Sequence, residues 1–205
     1  ANQAKVSLRI LATTMATNAG RKSAAARETL ERLAARPLVK AVDESRCDAA
    51  LSDLHTLNPG FSNIVYTDMQ GRAVCSALPQ PGGQPVNVSH TEWHRKVVAE
   101  QRFGIGKPHL GPITGKWVTV LSLPIRSDSG EMVGAIHLPL DLKAYDPGIP
   151  TQYLPPDSRY GFFDADGIMI WRNEDPEMVI GTRPNAEAAR RIVEVRDGEF
   201  ESLAV

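Results

Sequence analysis

Two cysteines, Cys47 and Cys75, are all that 205 residues contain. There is no CxxC pair and no Cys/His set at zinc spacing, so the common structural zinc modules are excluded. Two buried free thiols are the default for a cytosolic chain, and a disulfide is the alternative in an oxidising compartment; composition alone leaves both open. Charge of one sign is also lacking: 23 Lys and Arg face 24 Asp and Glu, for a net charge of −1. That balance removes the electrostatic case for nucleic acid as a partner, or for an anionic membrane surface. No apolar run is long enough to cross a bilayer, and no charged-then-apolar leader opens the chain. Catalytic signatures are missing too. No GxSxG occurs, and "GIGKP" and "GPITGK" lack P-loop spacing. The expectation is a non-enzyme without a cofactor.

What is present is a core and a repeated phrase. Hydrophobic residues make up 42% of the chain, enough for one large domain or two small ones. "IVYTDMQGRAVCSA" (64–77) and "YGFFDADGIMIWRN" (160–173) each place an apolar run, an Asp-led turn with Gly, and a second apolar run. Both read as β-hairpins, with Asp bonding the turn backbone and Gly71 or Gly167 accepting positive φ. "IRSDSGEMVGAIHL" is a third version, turning at Gly130. "DADG" lacks the third acidic ligand and distal Glu of a calcium loop, so the hairpin reading stands.

Ahead of the first hairpin lies a proline-free stretch from about residue 4 to 35, rich in Ala, Leu, Arg and Glu. It predicts one helix of about 30 residues, roughly 45 Å long. Leu8, Leu11, Met15, Leu30 and Leu33 mark its apolar side. Such a helix is a spine for the molecule or a seam against a second copy. After Pro37, helical spacing resumes through Leu38, Val42, Leu51, Leu54 and Leu57, and "NPG" at 58–60 stops it. A short helix is expected from Ser89 as N-cap with Glu92 three residues on, a capping box. "GKWVTVLSLPI" and "EMVGAIHLPL" predict two long strands. The proline-rich stretch 146–158 reads as a linker, a helix follows at about 185–195, and "GEFESLAV" opens another strand. The fold class is α+β: a long N-terminal helix with connecting helices over 1–57, then an antiparallel-sheet unit over 58–145. Linker and a second such unit, incomplete, fill 146–205.

In order, "NPGFSNIVYTDMQGRAVCSA", "VSHTEWHRKVV", the block from "FGIGKPHLG" to "GAIHLPLDL", and "FFDADGIMIWRNEDPEMVIG" resemble the double Cache sensor domains, also described as tandem PAS-like or PDC domains. The resemblance covers nearly the whole chain. It implies the extracytoplasmic, periplasmic sensing part of an inner-membrane signalling receptor, such as a histidine kinase, a diguanylate cyclase or a chemoreceptor. It further implies a small-molecule ligand in the membrane-distal unit (58–145), a long helix continuous with a transmembrane helix, and a homodimer. A soluble periplasmic binding or scaffolding module is the alternative. The oxidising compartment implied by the resemblance turns Cys47 and Cys75 into an expected disulfide.

The resemblance also places Trp93 on the helix covering the ligand pocket and Trp117 at the start of a strand beneath it. The expected pocket is lined by Trp93, Trp117 and Tyr66, with Thr91, His94, Thr119 and His137 as polar contacts. Members that bind amino acids carry an Arg where Thr91 stands and an Asp where Pro139 stands. Without those clamps a neutral ligand, or a small carboxylate held by histidine and backbone N–H groups, fits better. His90 and His94, four apart, resemble half of a zinc site that His109 and His137 would have to complete; no metal is expected.

Overall fold

A computed structural model of the chain describes residues 2–150, 154, 158–184 and 186–195. Helix α1 runs unbroken over Asn2–Ala34 and ends just before Pro37, whose ring forbids continuation of the ladder. Helical spacing does not carry on through 38–57 as the sequence suggests. Only α2 (Pro37–Lys40) and α3 (Ala50–Leu57) are helical. Between them Val42 takes φ +48° and the Asp43 carboxylate accepts from both the backbone N–H and the hydroxyl of Ser45. An Asp that bonds its own turn competes with the helix ladder and wins here. Asp48, almost fully buried, then receives a two-pronged bond from Arg36 at 2.6 and 3.1 Å and caps Ala50. Cys47, in the same connection, is joined to Cys75 by a disulfide.

The main sheet is antiparallel, in the order β2-β1-β6-β5-β3, with β4 also pairing β5. Its strands are β1 (Val65–Asp68), β2 (Ala73–Ser76), β3 (Gly104–Ile105), β4 (His109–Leu110), β5 (Trp117–Arg126) and β6 (Met132–Asp141). A hairpin, β7 (Gly161–Phe163) and β8 (Met169–Arg172), forms a second sheet, followed by α5 (Pro176–Val179) and α6 (Ala186–Glu194). The strand expected over 198–205 lies outside the described residues.

The repeated phrase folds twice into the same turn. Asp68 Oδ1 accepts from the N–H groups of Gln70 and Arg72, and Asp164 Oδ1 accepts from those of Asp166 and Ile168. Gly71 and Gly167 take φ +77° and +75°. The Asp carboxylate of "DADG" thus staples backbone.

Strand alternation decides what each sheet face meets. One face carries Leu121, Ile136, Leu138 and Tyr66, which pack with Ala26, Leu30 and Leu33 of α1 into the largest core cluster. Each fully buried aliphatic side chain there contributes about 1.5–3 kcal/mol. Nearer its N-terminus α1 changes partner: Met15, with Leu11 beside it, packs on Ile149 and Trp171. The apolar stripe that reads as a seam for a second copy is therefore covered by the chain itself from Leu11 onward. Val6, Leu8 and Ile10 remain exposed.

Candidate functional site

The opposite sheet face is built for something else. Val65, His137 and Ser122 stand side by side across β1, β6 and β5. Direct cross-strand partners share a face, and so does Thr67, two residues on from Val65, so Thr67, His137 and Ser122 form a polar row across the sheet. His137 is fully buried, with Nδ1 2.9 Å from Ser122 Oγ and Nε2 3.2 Å from Thr67 Oγ1. Both ring nitrogens are engaged, which is how a buried neutral imidazole is satisfied.

Helix α4 (Glu92–Glu100) covers this row. Its N-cap is Thr91, whose hydroxyl accepts from His94 N–H at 3.3 Å and donates to the Val88 carbonyl at 2.8 Å. Ser89 is not the cap: the chain turns tightly over 88–91, and the extended residue that precedes the first helical N–H groups is Thr91. His90 consequently precedes the helix and is exposed, so His90 and His94 do not form a helical i, i+4 pair.

Trp93, His94 and Val97 form the buried side of α4. Trp93 stands edge-on to His137 with ring centres 4.7 Å apart and stacks on His109 at 5.9 Å. Its indole N–H donates to His109 Nε2 at 3.1 Å, while His109 Nδ1 lies 2.9 Å from the Lys107 carbonyl. A carbonyl only accepts, so Nδ1 carries the proton and Nε2 is the acceptor. Gly106 lets the strand pass this close: a Cβ there would lie 2.7 Å from that of Trp93. His94 is buried with neither ring nitrogen hydrogen-bonded. Burial pushes its pKa down, partly offset by the Asp68 charge; burial, then the neighbouring His94, push His137 well below the usual histidine range.

Between α4, the 111–114 loop and the polar row lies a cavity of about 30 Å³. That is room for one or two waters. Thr67, Trp93, His109, Val118, Val120 and His137 are among its walls, and none of the lining residues is Asp, Glu, Lys or Arg. Outside the Trp93–His109 pair lies an open groove of about 360 Å³, bordered by Thr91 and Pro108. The two rings are the partition between groove and cavity.

Of the seven expected pocket residues, the fold brings Trp93, His94 and His137 together. Tyr66 sits on the α1 face, fully buried in the main core. Trp117 and Thr119 share that face; Trp117 lies against Gly181, and Thr119 Oγ1 donates to the Gly106 carbonyl at 2.7 Å. The hydroxyl of Thr91 is spent on the cap. Of residues that the sequence does not single out as contacts, Thr67 and His109 line the chamber, and Ser122 holds the His137 ring that forms part of its wall. Counting by two from His137 along β6 and across to β1 and β5 was the available signal for Thr67 and Ser122. Among the described residues no group of three or more His, Cys, Asp or Glu is placed to hold a metal.

No family model matches the chain, and no curated protein matches it. Solved structures do. The extracellular domain assigned to histidine kinase rpHK1S-Z16 superposes with a TM-score of 0.71 at 17% identity, covering 94% of this chain and 78% of that one. The ligand-binding domain of the Pseudomonas aeruginosa amino acid chemoreceptor PctC, in complex with GABA, gives 0.60 at 16% identity, covering 87% and 77%. That of the Campylobacter jejuni chemoreceptor Tlp3, in complex with L-valine, gives 0.63 at 12%, covering 93% and 79%. No helix among the described residues is long and apolar enough to cross a membrane. With its long helix and mixed α+β layers, the chain has the fold of the extracellular sensory domains of histidine kinases and chemoreceptors.

Proposed function

We propose that this chain is the extracytoplasmic sensing region of a membrane-anchored signalling receptor, a histidine kinase or diguanylate cyclase, with the unit over 58–145 as its ligand-binding part. The observation that carries the reading is the chamber on the α4 face, polar at one wall, aromatic at another, and closed by a partition of two rings. Small-molecule sites combine apolar and aromatic walls with a few placed polar groups. Movement of Trp93 away from His109 joins the chamber to the outer groove and makes room for a ligand.

The ligand is a small uncharged molecule with hydrogen-bonding groups. PctC and Tlp3 were solved with GABA and L-valine. A zwitterion brings two charges, and burying either without a partner costs several kcal/mol. The chamber offers no side-chain charge, and the outer groove adds only Glu92 and Lys107, the latter already paired with Asp166. Pro139 lines it without a side-chain donor or acceptor, and the Thr91 hydroxyl is already occupied.

Signal output follows from the two faces of one sheet. A ligand that fits one arrangement of α4 over β5 and β6 better than another shifts the population between them. The reverse face of those strands holds Leu30 and Leu33 of α1, so a shift reaches the long helix. The exposed Val6, Leu8 and Ile10 are the remaining surface of α1 through which two copies would pair as a homodimer.

The test is a thermal-shift screen of small metabolite classes on this chain. A ligand at 100 times its dissociation constant adds about 2.7 kcal/mol, which is roughly 5–10 °C for a chain of this size. Hits confined to neutral polar molecules support the reading. A screen won by amino acids contradicts the ligand assignment.

A further inference from the structure

The α1 face of the main sheet holds a second, larger opening. A cleft of about 380 Å³ lies where α1, the main sheet and the β7–β8 hairpin converge. Leu121, Leu140 and Leu142 form its floor from the sheet, and Phe162, Ile170 and Trp171 one wall from the hairpin. Lys22 and Ala19 of α1 close another side. No residue lines both this cleft and the chamber under Trp93, and the two lie on opposite sheet faces.

We infer that this cleft is a second ligand site, for an uncharged, mainly apolar molecule of one or two rings. Three observations specify the class. Volumes from about 300 Å³ upward are the size of small-molecule sites. The charges at the rim balance, three lysines (22, 96 and 107) against Glu92, Asp164 and Asp166, and Lys107 is already paired with Asp166 at 2.7 Å. An ion entering this cleft loses hydration and finds no net field in return. Third, the rings of Tyr145, Phe162 and Trp171 line the wall and offer apolar aromatic faces. Tyr145 anchors the aromatic cluster with Phe162 and Trp171, at ring distances of 5.5 and 5.8 Å.

Position gives the site its consequence. Main sheet, long helix and second hairpin all contribute walls, so an occupant braces the three against one another. It acts on the elements that carry a signal away from the chamber, without entering the chamber.

The test uses 1-naphthol, with 2-naphthoate as the charged counterpart, titrated into the 205-residue chain by calorimetry and by following the indole N–H resonances in ¹H–¹⁵N spectra. Three tryptophans make the readout local. Naphthol is expected to bind in the micromolar range, shifting the Trp171 indole signal while that of Trp93 stays in place. Naphthoate should bind at least tenfold more weakly. Ala19→Trp and Ile170→Trp each fill the cleft from a different element, and both should abolish the Trp171 response. Undetectable naphthol binding at 1 mM overturns the inference, as does binding unchanged in both filling variants. A response at Trp93 instead of Trp171 overturns it too, while leaving the proposal for the chamber standing.

Discussion

The Trp93 indole N–H donates to His109 Nε2 at 3.1 Å, and this one bond ties helix α4 to strand β4 across the mouth of the buried chamber. His109 is able to accept because its other nitrogen is committed to the Lys107 carbonyl. Trp93→Phe keeps an aromatic partition and removes the donor. The loss expected in urea denaturation is about 0.5–1.5 kcal/mol, the net worth of one such bond. Backbone amides of β4 should exchange faster in the same variant. An unchanged exchange pattern would show that the partition is held by packing alone.

Acid should weaken the fold well above the range where carboxylates titrate. His94 and His137 both have folded pKa values below the ordinary histidine value, because burial disfavours the imidazolium. A base with a depressed folded pKa contributes stability above its unfolded pKa, and that contribution is lost as pH falls toward the folded one. Below about pH 6.5 the unfolded chain takes up protons that the native chain refuses, so stability falls by at most about 1.4 kcal/mol per pH unit for each such histidine, until the pH reaches its folded pKa. Urea midpoints at pH 7.5, 6.5 and 5.5 measure this. His94→Leu, which fills a similar volume with no nitrogen to protonate, should flatten the curve by up to one proton's worth; a slope equal to the parent's would refute the assignment to His94.

The disulfide between Cys47 and Cys75 closes a loop of 28 residues. On the chain-entropy account a loop of that length is worth about 3–4 kcal/mol. Reduction, or the Cys47→Ala/Cys75→Ala pair, should lower stability by that amount. The unreduced, denatured protein should yield no alkylatable thiol, and two thiols would contradict the bond.

Gly181 packs against Trp117 at φ +80°, where an added Cβ would lie 3.2 Å from the indole. Gly181→Val therefore meets both a backbone penalty, about 1–2 kcal/mol for holding a residue with a Cβ in the left-handed region, and a steric one. The Lys107–Asp166 and Lys143–Glu177 pairs also join the two parts but are largely exposed and contribute little. Limited proteolysis should thus cut the variant between 142 and 160 faster than the parent, with the main sheet left intact. Equal cutting rates would mean that Trp117 does not hold the second hairpin in place.

Much of the fold was legible in the sequence because it is written in local signals. Pro37 ends α1, Asp68 and Asp164 build twin turns, and the two ten-residue strands announce themselves by composition. The middle connection departs from the helical spacing of Leu38, Val42, Leu51 and Leu54 because Asp43 bonds its own turn at Ser45 and because exposed Arg36 pairs with buried Asp48 twelve residues on, and spacing registers neither. The site was harder for a related reason. Strand alternation puts Trp117, Thr119, Leu121 and Leu123 on one face of β5 and Val118, Val120 and Ser122 on the other, but it does not say which face meets α1. Trp117 and Thr119 were assigned with Trp93 to one pocket, and Tyr66 with them; the register across β1, β6 and β5 places all three opposite His137. Aromatic residues drew the eye, whereas Thr67 and Ser122, which orient the buried imidazole, carry no signature of their own.

The central claim is that the chamber under Trp93 receives the ligand and that the ligand carries no net charge pair. The most direct measurement is the ¹H–¹⁵N spectrum of the three tryptophan indoles during titration with the strongest thermal-shift hit and, separately, with each of the twenty amino acids. The account predicts that a neutral polar hit moves the Trp93 indole resonance as its bond to His109 breaks, leaves Trp117 unmoved, and that no amino acid does the same below 1 mM. A micromolar amino acid response at Trp93, or a hit that moves Trp117 alone, would contradict it.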